Sequence, residues 1–111
     1  MTMQDLDAAL QQTGYPVAYR AFKSAQNPPF VTYLFVSSAD LLADNVNYQG
    51  IGDYHVELYT TNKDPTAEAA VEAELNALGL AFSKLETYIE TERMLQILYT
   101  VRIIETQESV S

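Results

Sequence analysis

The chain of 111 residues has no cysteine and no tryptophan, and it has only one histidine. The absence of cysteine excludes disulfide bonds and thiolate metal sites. No apolar run is long enough to cross a membrane, and the acidic N-terminus is unlike a secretory signal. We therefore expect an unprocessed soluble protein with no membrane partner. The length fits one domain that buries a core of its own.

Basic residues are also scarce, because 6 Lys and Arg stand against 15 Asp and Glu, for a formal charge of −9. Such an excess of acid disfavours binding to nucleic-acid phosphates, so no nucleic-acid partner is expected. An acidic DNA mimic stays open as an alternative, beside the simpler reading that net charge maintains solubility. Arg20 and Lys23 lie in the first quarter, whereas residues 53–92 are strongly acidic. This asymmetry predicts two differently charged surfaces.

Residues that carry catalysis are few. His55 is the only histidine, and it falls on the predicted outward face of a strand. The four glycines form no nucleotide-binding fingerprint. Glu86, Tyr88 and Glu90 share one strand face, but alternating acids are typical of a solvated edge. We therefore predict a protein that is not an enzyme and has no catalytic, metal or cofactor site.

The most strongly patterned stretch covers residues 54–80. Asp64 is placed to cap a helix, Pro65 to occupy its first turn, Glu68 to put negative charge near its N-terminus and Gly79 to end it. The preceding strand alternates strictly, which predicts one buried face. The residues of that face are Tyr54, Val56, Leu58 and Thr60.

The N-terminal part predicts a short helix and two strands. Thr2 and Asp5 form a capping box, and apolar residues recur at helical spacing up to Gly14. Residues 15–23 and 29–38 are rich in Tyr, Phe and Val, as strands are. Two prolines separate them, so we predict a hairpin with a long turn.

The C-terminal part alternates polar and apolar residues over 81–90 and again over 93–105. This pattern predicts two half-buried strands joined by a tight turn. The last residues, 106–111, are small and polar, so we expect a flexible tail after a single domain of residues 1–105. The predicted fold class is α+β, with a mostly antiparallel twisted sheet of about five strands flanked by two helices in the order α-β-β-β-α-β-β.

Residues 39–53 form the longest irregular segment, and they carry more apolar surface than a free linker needs. Two interpretations stay open. The segment packs on its own domain, with an extra short helix at 39–43, or it forms a surface for a partner. The candidate interface residues are Leu41, Leu42, Val46, Tyr48 and Ile51.

Three pieces of the sequence carry a resemblance to a known family: VELYT at the end of one strand, KDPT before the second helix, and IETERMLQILYTVRI near the end. Over roughly residues 3–105 the chain resembles the small tail-completion proteins of long-tailed bacteriophages, also called tail terminators or head-tail joining proteins. The resemblance implies a structural protein that caps the tail tube as a ring of copies, commonly six. It also implies three partners: other copies of the chain, the tail tube protein, and a head connector or head-completion protein.

The same resemblance implies a location at the head-tail junction of the virion, after synthesis in the cytoplasm of the bacterial host. A function of a different class remains open. Small antiparallel sheets backed by two helices also serve as cytosolic ligand-sensing or dimerising modules, and a tyrosine-rich sheet is suited to a ligand face.

Overall fold

The computed structural model describes residues 1–38, 41–42 and 48–107. Two helices and six strands make up this part of the chain. The helices are α1 (Met3–Gln11) and α2 (Pro65–Ala77), and the strands are β1 (Val17–Tyr19), β2 (Phe30–Ser38), β3 (Leu41–Leu42), β4 (Tyr48–Thr60), β5 (Phe82–Ile89) and β6 (Met94–Gln107).

Helix α1 begins at the predicted capping box. The Asp5 amide donates to the Thr2 hydroxyl at 3.2 Å, and the Thr2 amide donates to the Asp5 carboxylate at 2.8 Å. These bonds satisfy amides that have no partner within the helix. After the helix, Gly14 takes a φ of +84°, a conformation that glycine adopts without a steric penalty. The sequence therefore predicted both ends of α1.

Helix α2 is also bounded as predicted. The Asp64 side chain accepts from the Ala67 amide at 3.0 Å, and Pro65 occupies the first helical position. Gly79 follows the helix with a φ of +75°. Glu68 lies in the first turn, where negative charge is favourable. Unlike an ordinary first-turn acid, however, it is buried.

The strands form one sheet in the order β1-β2-β4-β6-β5, with β3 paired to β4. All pairs are antiparallel except β1 with β2. The fold is α+β with two helices and a mostly antiparallel sheet, so the predicted fold class is confirmed. The two-residue strand β3 is an addition to the predicted order.

The prediction of a hairpin over residues 15–38 was wrong, because β1 runs parallel to β2, with Val17 opposite Val31. Parallel neighbours need a connection that returns along the sheet. Here residues 20–29 make that return without a helix. The composition identified both strands, but it did not show whether a hairpin turn or a crossover connection joins them.

Within the predicted loop 39–53, the described residues 41–42 and 48–53 are strand. Strand β4 begins at Tyr48, six residues before the expected start, and Leu41 and Leu42 pair with Gln49 and Tyr48. The suggested short helix at 39–43 is therefore wrong for residues 41 and 42, and the rest of that stretch lies outside the described residues. Strand β6 likewise continues to Gln107, two residues past the predicted domain end, whereas 108–111 lie outside the described part.

Both helices pack on the same face of the sheet, and their apolar residues form one cluster with the inward side chains of β2, β4 and β6. The alternation predicted for β4 and β6 is confirmed. Burying these apolar groups is the main favourable contribution to folding. Fully buried members of this core include Leu6, Leu10, Val56, Leu58, Val71, Leu75, Ile97 and Tyr99.

Strand β5 departs from the expectation of a half-buried strand. It lies at the edge of the sheet, and every residue between its two ends is exposed. An alternating sequence indicates which side chains lie on each face of a sheet. It does not indicate whether the strand has one neighbouring strand, as an edge strand has, or two. The molecule measures 52 × 26 × 25 Å, so the sheet is long relative to the layer of helices.

Candidate protein interface

Of the five predicted interface residues, the structure places four in the β3–β4 region. Leu42 pairs with Tyr48, and Tyr48 pairs on its other side with Gln107 of β6. The backbones of Leu41, Leu42 and Tyr48 thus meet at one end of the sheet. Val46 lies outside the described residues.

Ile51 behaves differently from an exposed interface residue. Its side chain is only 7% exposed, and it lies outside the main core cluster. It sits opposite Ile104, which is 47% exposed. Ile51 is therefore not part of an exposed surface, and the apolar surface at this position belongs to Ile104.

The face of the sheet opposite the helices, here called the open face, carries a polar network at its centre. The Thr32 hydroxyl donates to Glu57 at 2.8 Å, and the Gln96 amide donates to the Tyr59 hydroxyl at 3.0 Å and to Glu57 at 3.3 Å. Burial raises the pKa of Tyr59 above its usual value. Residues of β2, β4 and β6 thus form one hydrogen-bonded group, which sequence reasoning missed because its members are distant in the chain.

A pocket of about 350 Å³ lies beside this network, where residues 20–26 fold over the open face. Phe30 stacks on Tyr59 with ring centroids 4.9 Å apart, and Phe22 meets Phe30 edge-on at 5.6 Å. Arg20 and Lys23 also line the pocket. We call this site, formed by Arg20, Phe22, Lys23, Phe30, Thr32 and Tyr59, the basic aromatic pocket.

The two cations of the pocket and Arg93 are the basic residues that form no ion pair with any described residue. Lys63, Lys84 and Arg102 all form ion pairs. In contrast, Arg20 and Lys23 are exposed and form no ion pair with any residue that the structure describes. The two basic residues of the N-terminal part of the sequence therefore form one local, positively charged surface.

The opposite edge of the sheet carries exposed apolar and acidic side chains. Leu85 is 59% exposed and Tyr88 is 54% exposed, both on β5. The turn that follows contains Glu90 and Glu92, both exposed, and Arg93 with a φ of +53°. Together, β5 and the turn 90–93 are here called the β5 edge. Large exposed apolar groups beside charges are typical of interaction surfaces.

The remaining charge cluster stabilises the fold. Glu68 is buried between Lys63 at 2.8 Å and Lys84 at 2.6 Å, and Lys84 also contacts Glu72 at 2.7 Å. Burial alone raises the pKa of Glu68, but the two ammonium groups outweigh it and the pKa lies below its usual value. The Tyr99 hydroxyl donates to Glu72 at 2.8 Å. The cluster therefore joins α2 to β5 and β6.

Candidate catalytic and metal-binding groups are not brought together. No group of three or more His, Asp or Glu side chains suited to a metal lies within residues 1–38, 41–42 and 48–107. His55 lies half-buried on the open face, where the alternation of β4 placed it. None of the helices in the described part of the chain has the length and apolar character needed to span a membrane.

Comparison with known proteins gives a likeness in structure only. No family model matches the chain, and no curated protein matches it. Among solved structures, a chain from the "Virion of native gene transfer agent (GTA) particle" is similar, with a TM-score of 0.63 and 20% sequence identity. The match covers 92% of this chain and 90% of that chain. At this identity the comparison shows that the two chains share a fold over nearly their whole length.

Proposed function

We propose that the protein is a structural component of a phage-like virion, which caps the tail tube as a ring of copies and joins the tail to the head. The observation that carries the proposal is the likeness to a chain of a gene transfer agent virion over 92% of this chain. The likeness also covers 90% of that other chain, so it is not confined to a shared fragment of the two chains.

The surface of the molecule supports an assembly role over a catalytic one. The helices cover one face of the sheet, whereas the open face and the β5 edge leave apolar and charged groups exposed. A ring needs two different patches on each copy, because every copy contacts two neighbours by different surfaces. We therefore propose a protein that is not an enzyme, with other copies, the tail tube protein and a head connector or head-completion protein as partners.

A gene deletion tests this function. We expect phage particles made without the protein to show full heads beside separate tails, with some tails longer than normal. Adding the purified protein to such an extract should restore joined particles, counted by electron microscopy. Normal joining in the deletion strain would overturn the proposal.

The basic aromatic pocket favours a second candidate function, that of a small ligand-binding module. Its aromatic rings and two cations suit a planar anion. The two functions separate in one experiment, because a ligand-binding module predicts normal particles in the deletion strain. Ligand-dependent stabilisation of the purified protein, read as a rise in its thermal midpoint, would then support the module.

A further inference from the structure

We propose that neighbouring copies contact each other across opposite edges of the sheet, with the β5 edge of one copy docked on the basic aromatic pocket of the next. This inference rests on the proposed function, because a closed ring needs such a contact between two unlike patches. It deepens that function by naming the two surfaces and the residues that meet.

The register of the sheet sets the two patches at the same level along the strands. Phe30 lies opposite Tyr59, Tyr59 lies opposite Gln96, and Gln96 lies opposite Thr87. This row of paired residues lies on the open face and runs from the pocket to Thr87 across three strand spacings, about 14 Å, and the adjacent Tyr88, opposite Leu95, lies on the other face of the β5 edge. A copy related by rotation about an axis along the strands therefore brings one patch to the other without a rise. Contacts without a rise close into rings, whereas contacts with a rise give open helical filaments.

The side chains of the two patches are complementary. The β5 edge offers the exposed ring of Tyr88 and the carboxylates of Glu90 and Glu92. The pocket offers the rings of Phe22 and Phe30 with the cations of Arg20 and Lys23 beside them. An aromatic anchor in a pocket with opposite charges around it is a common form of a specific interface.

These charges are also available for contact. Within the described residues, neither pocket cation has an acidic partner, and neither Glu90 nor Glu92 has a basic one. Arg93 in the same turn reduces the local negative charge, so we assign the attraction to the two carboxylates together with Tyr88 and not to the turn as a whole.

A second copy is the occupant that these observations favour. The pocket suits a partner that presents an exposed aromatic ring next to acids, and this chain carries such a surface at its own β5 edge. The other occupant, an acidic segment of a tail or head protein, is an outcome of the test below.

The first experiment reverses charges. Lys23→Glu and Glu90→Lys should each weaken assembly about tenfold, measured as the protein concentration at which multimers form with or without tail tubes. The double variant, in which the charges exchange places, should recover most of that loss. Glu74→Lys on α2 is the matched control, since it makes the same charge change outside both patches and should leave assembly unaltered.

The second experiment uses the natural lack of cysteine. A chain carrying Lys23→Cys and Glu90→Cys should form a ladder of disulfide-linked multimers when oxidised in the assembled state. The two positions belong to patches about three strand spacings apart, roughly 14 Å, which is beyond the reach of a disulfide bond within one copy. The control pair, Lys23→Cys with Glu74→Cys, should give no ladder.

The outcomes separate the two proposals. Multimers that form normally in all charge variants, or without the 23–90 ladder, would overturn the inference and leave the proposed function standing. Normal multimers with loss of head-tail joining in Lys23→Glu would also overturn it, and would assign the pocket to a tail or head protein. A monomer both alone and with tail tubes would overturn the proposed function, and the inference with it.

Discussion

On the face of the sheet that the helices cover, long tyrosine side chains reach carboxylates of both helices. Tyr33 donates to Asp7 of α1 at 2.7 Å, and Tyr99 donates to Glu72 of α2. On the open face, half-buried aromatic rings lie beside Arg20 and Lys23, which form no ion pair with the described residues, and the exposed strand β5 lies at the edge of the sheet. The contrast indicates that one face holds the fold together and that the other face, with the β5 edge, is free to bind.

The largest expected difference between the two regions is in stability. Leu75→Ala removes a fully buried side chain of α2 and should lower the free energy of unfolding by roughly 2–5 kcal/mol, because it leaves a cavity in the core. Leu85→Ala is the control on the exposed edge and should change it by less than about 0.5 kcal/mol. Urea denaturation measures both. If both variants lost the same free energy of unfolding, the β5 edge would contribute to stability as much as the core does.

A smaller effect is expected at the buried carboxylate. Glu68→Gln should cost roughly 1–3 kcal/mol at neutral pH, because two ammonium groups lose their central anion. The folded pKa of Glu68 lies below its unfolded value, so its contribution is present above about pH 4.3 and is lost as the pH falls through the folded pKa.

The difference in stability between wild type and Glu68→Gln should therefore shrink in acid. Thermal midpoints of both proteins between about pH 7 and pH 3 give this comparison. Glu74→Gln, which removes a carboxylate from the same helix, is the control. A difference that stays constant with pH would mean that the cluster does not depend on the charge of Glu68.

The structure of the face that the helices cover was easier to predict from the sequence than that of the open face, because its signals are local. Strict alternation in β4 and the caps of α2 are local signals, and each specifies burial or an end without knowledge of distant residues. The buried state of Glu68 was missed because it depends on Lys84, sixteen positions along the chain and on another element. The partner of β1 was missed for the same reason, since strand direction depends on where residues 20–29 lead.

For the open face, the sequence predicted which residues are present but not which of them contact each other. The sequence identified the scarce cations Arg20 and Lys23, but their meeting with Phe30 and Tyr59 follows from the strand register and the path of residues 20–26. The first residues of β4, 48–53, were predicted as part of a loop because the alternation weakens at Gly50 and Gly52. Gly52 pairs with Ile103 where a side chain at that position would come within 3.0 Å of the Tyr54 ring.

A still smaller change in stability is expected from the β3–β4 region, where the interface prediction remains a proposal. Replacing Leu42 and Tyr48 together by serine should leave the thermal midpoint nearly unchanged while it abolishes ring formation or head-tail joining. Circular dichroism and particle counts measure the two effects. Ready unfolding of the double variant would show that this region belongs to the domain's own core.

The smallest effect is expected at His55, which lies on the open face and belongs to no metal-binding group of the described residues. His55→Ala should leave both the fold and the yield of joined particles intact. Loss of joining with a normally folded variant would make His55 a functional residue and would extend the binding region to the centre of the open face.

Hydrogen exchange before and after assembly on tail tubes tests the contrast between the two regions most directly. The amides of α1, α2 and the core strands should exchange at the same rates in both states, because their bonds are already made within one copy. The amides of β5 and of residues 20–26 should slow by at least about tenfold on assembly. New protection confined to the helices, with β5 and residues 20–26 unchanged, would contradict the account.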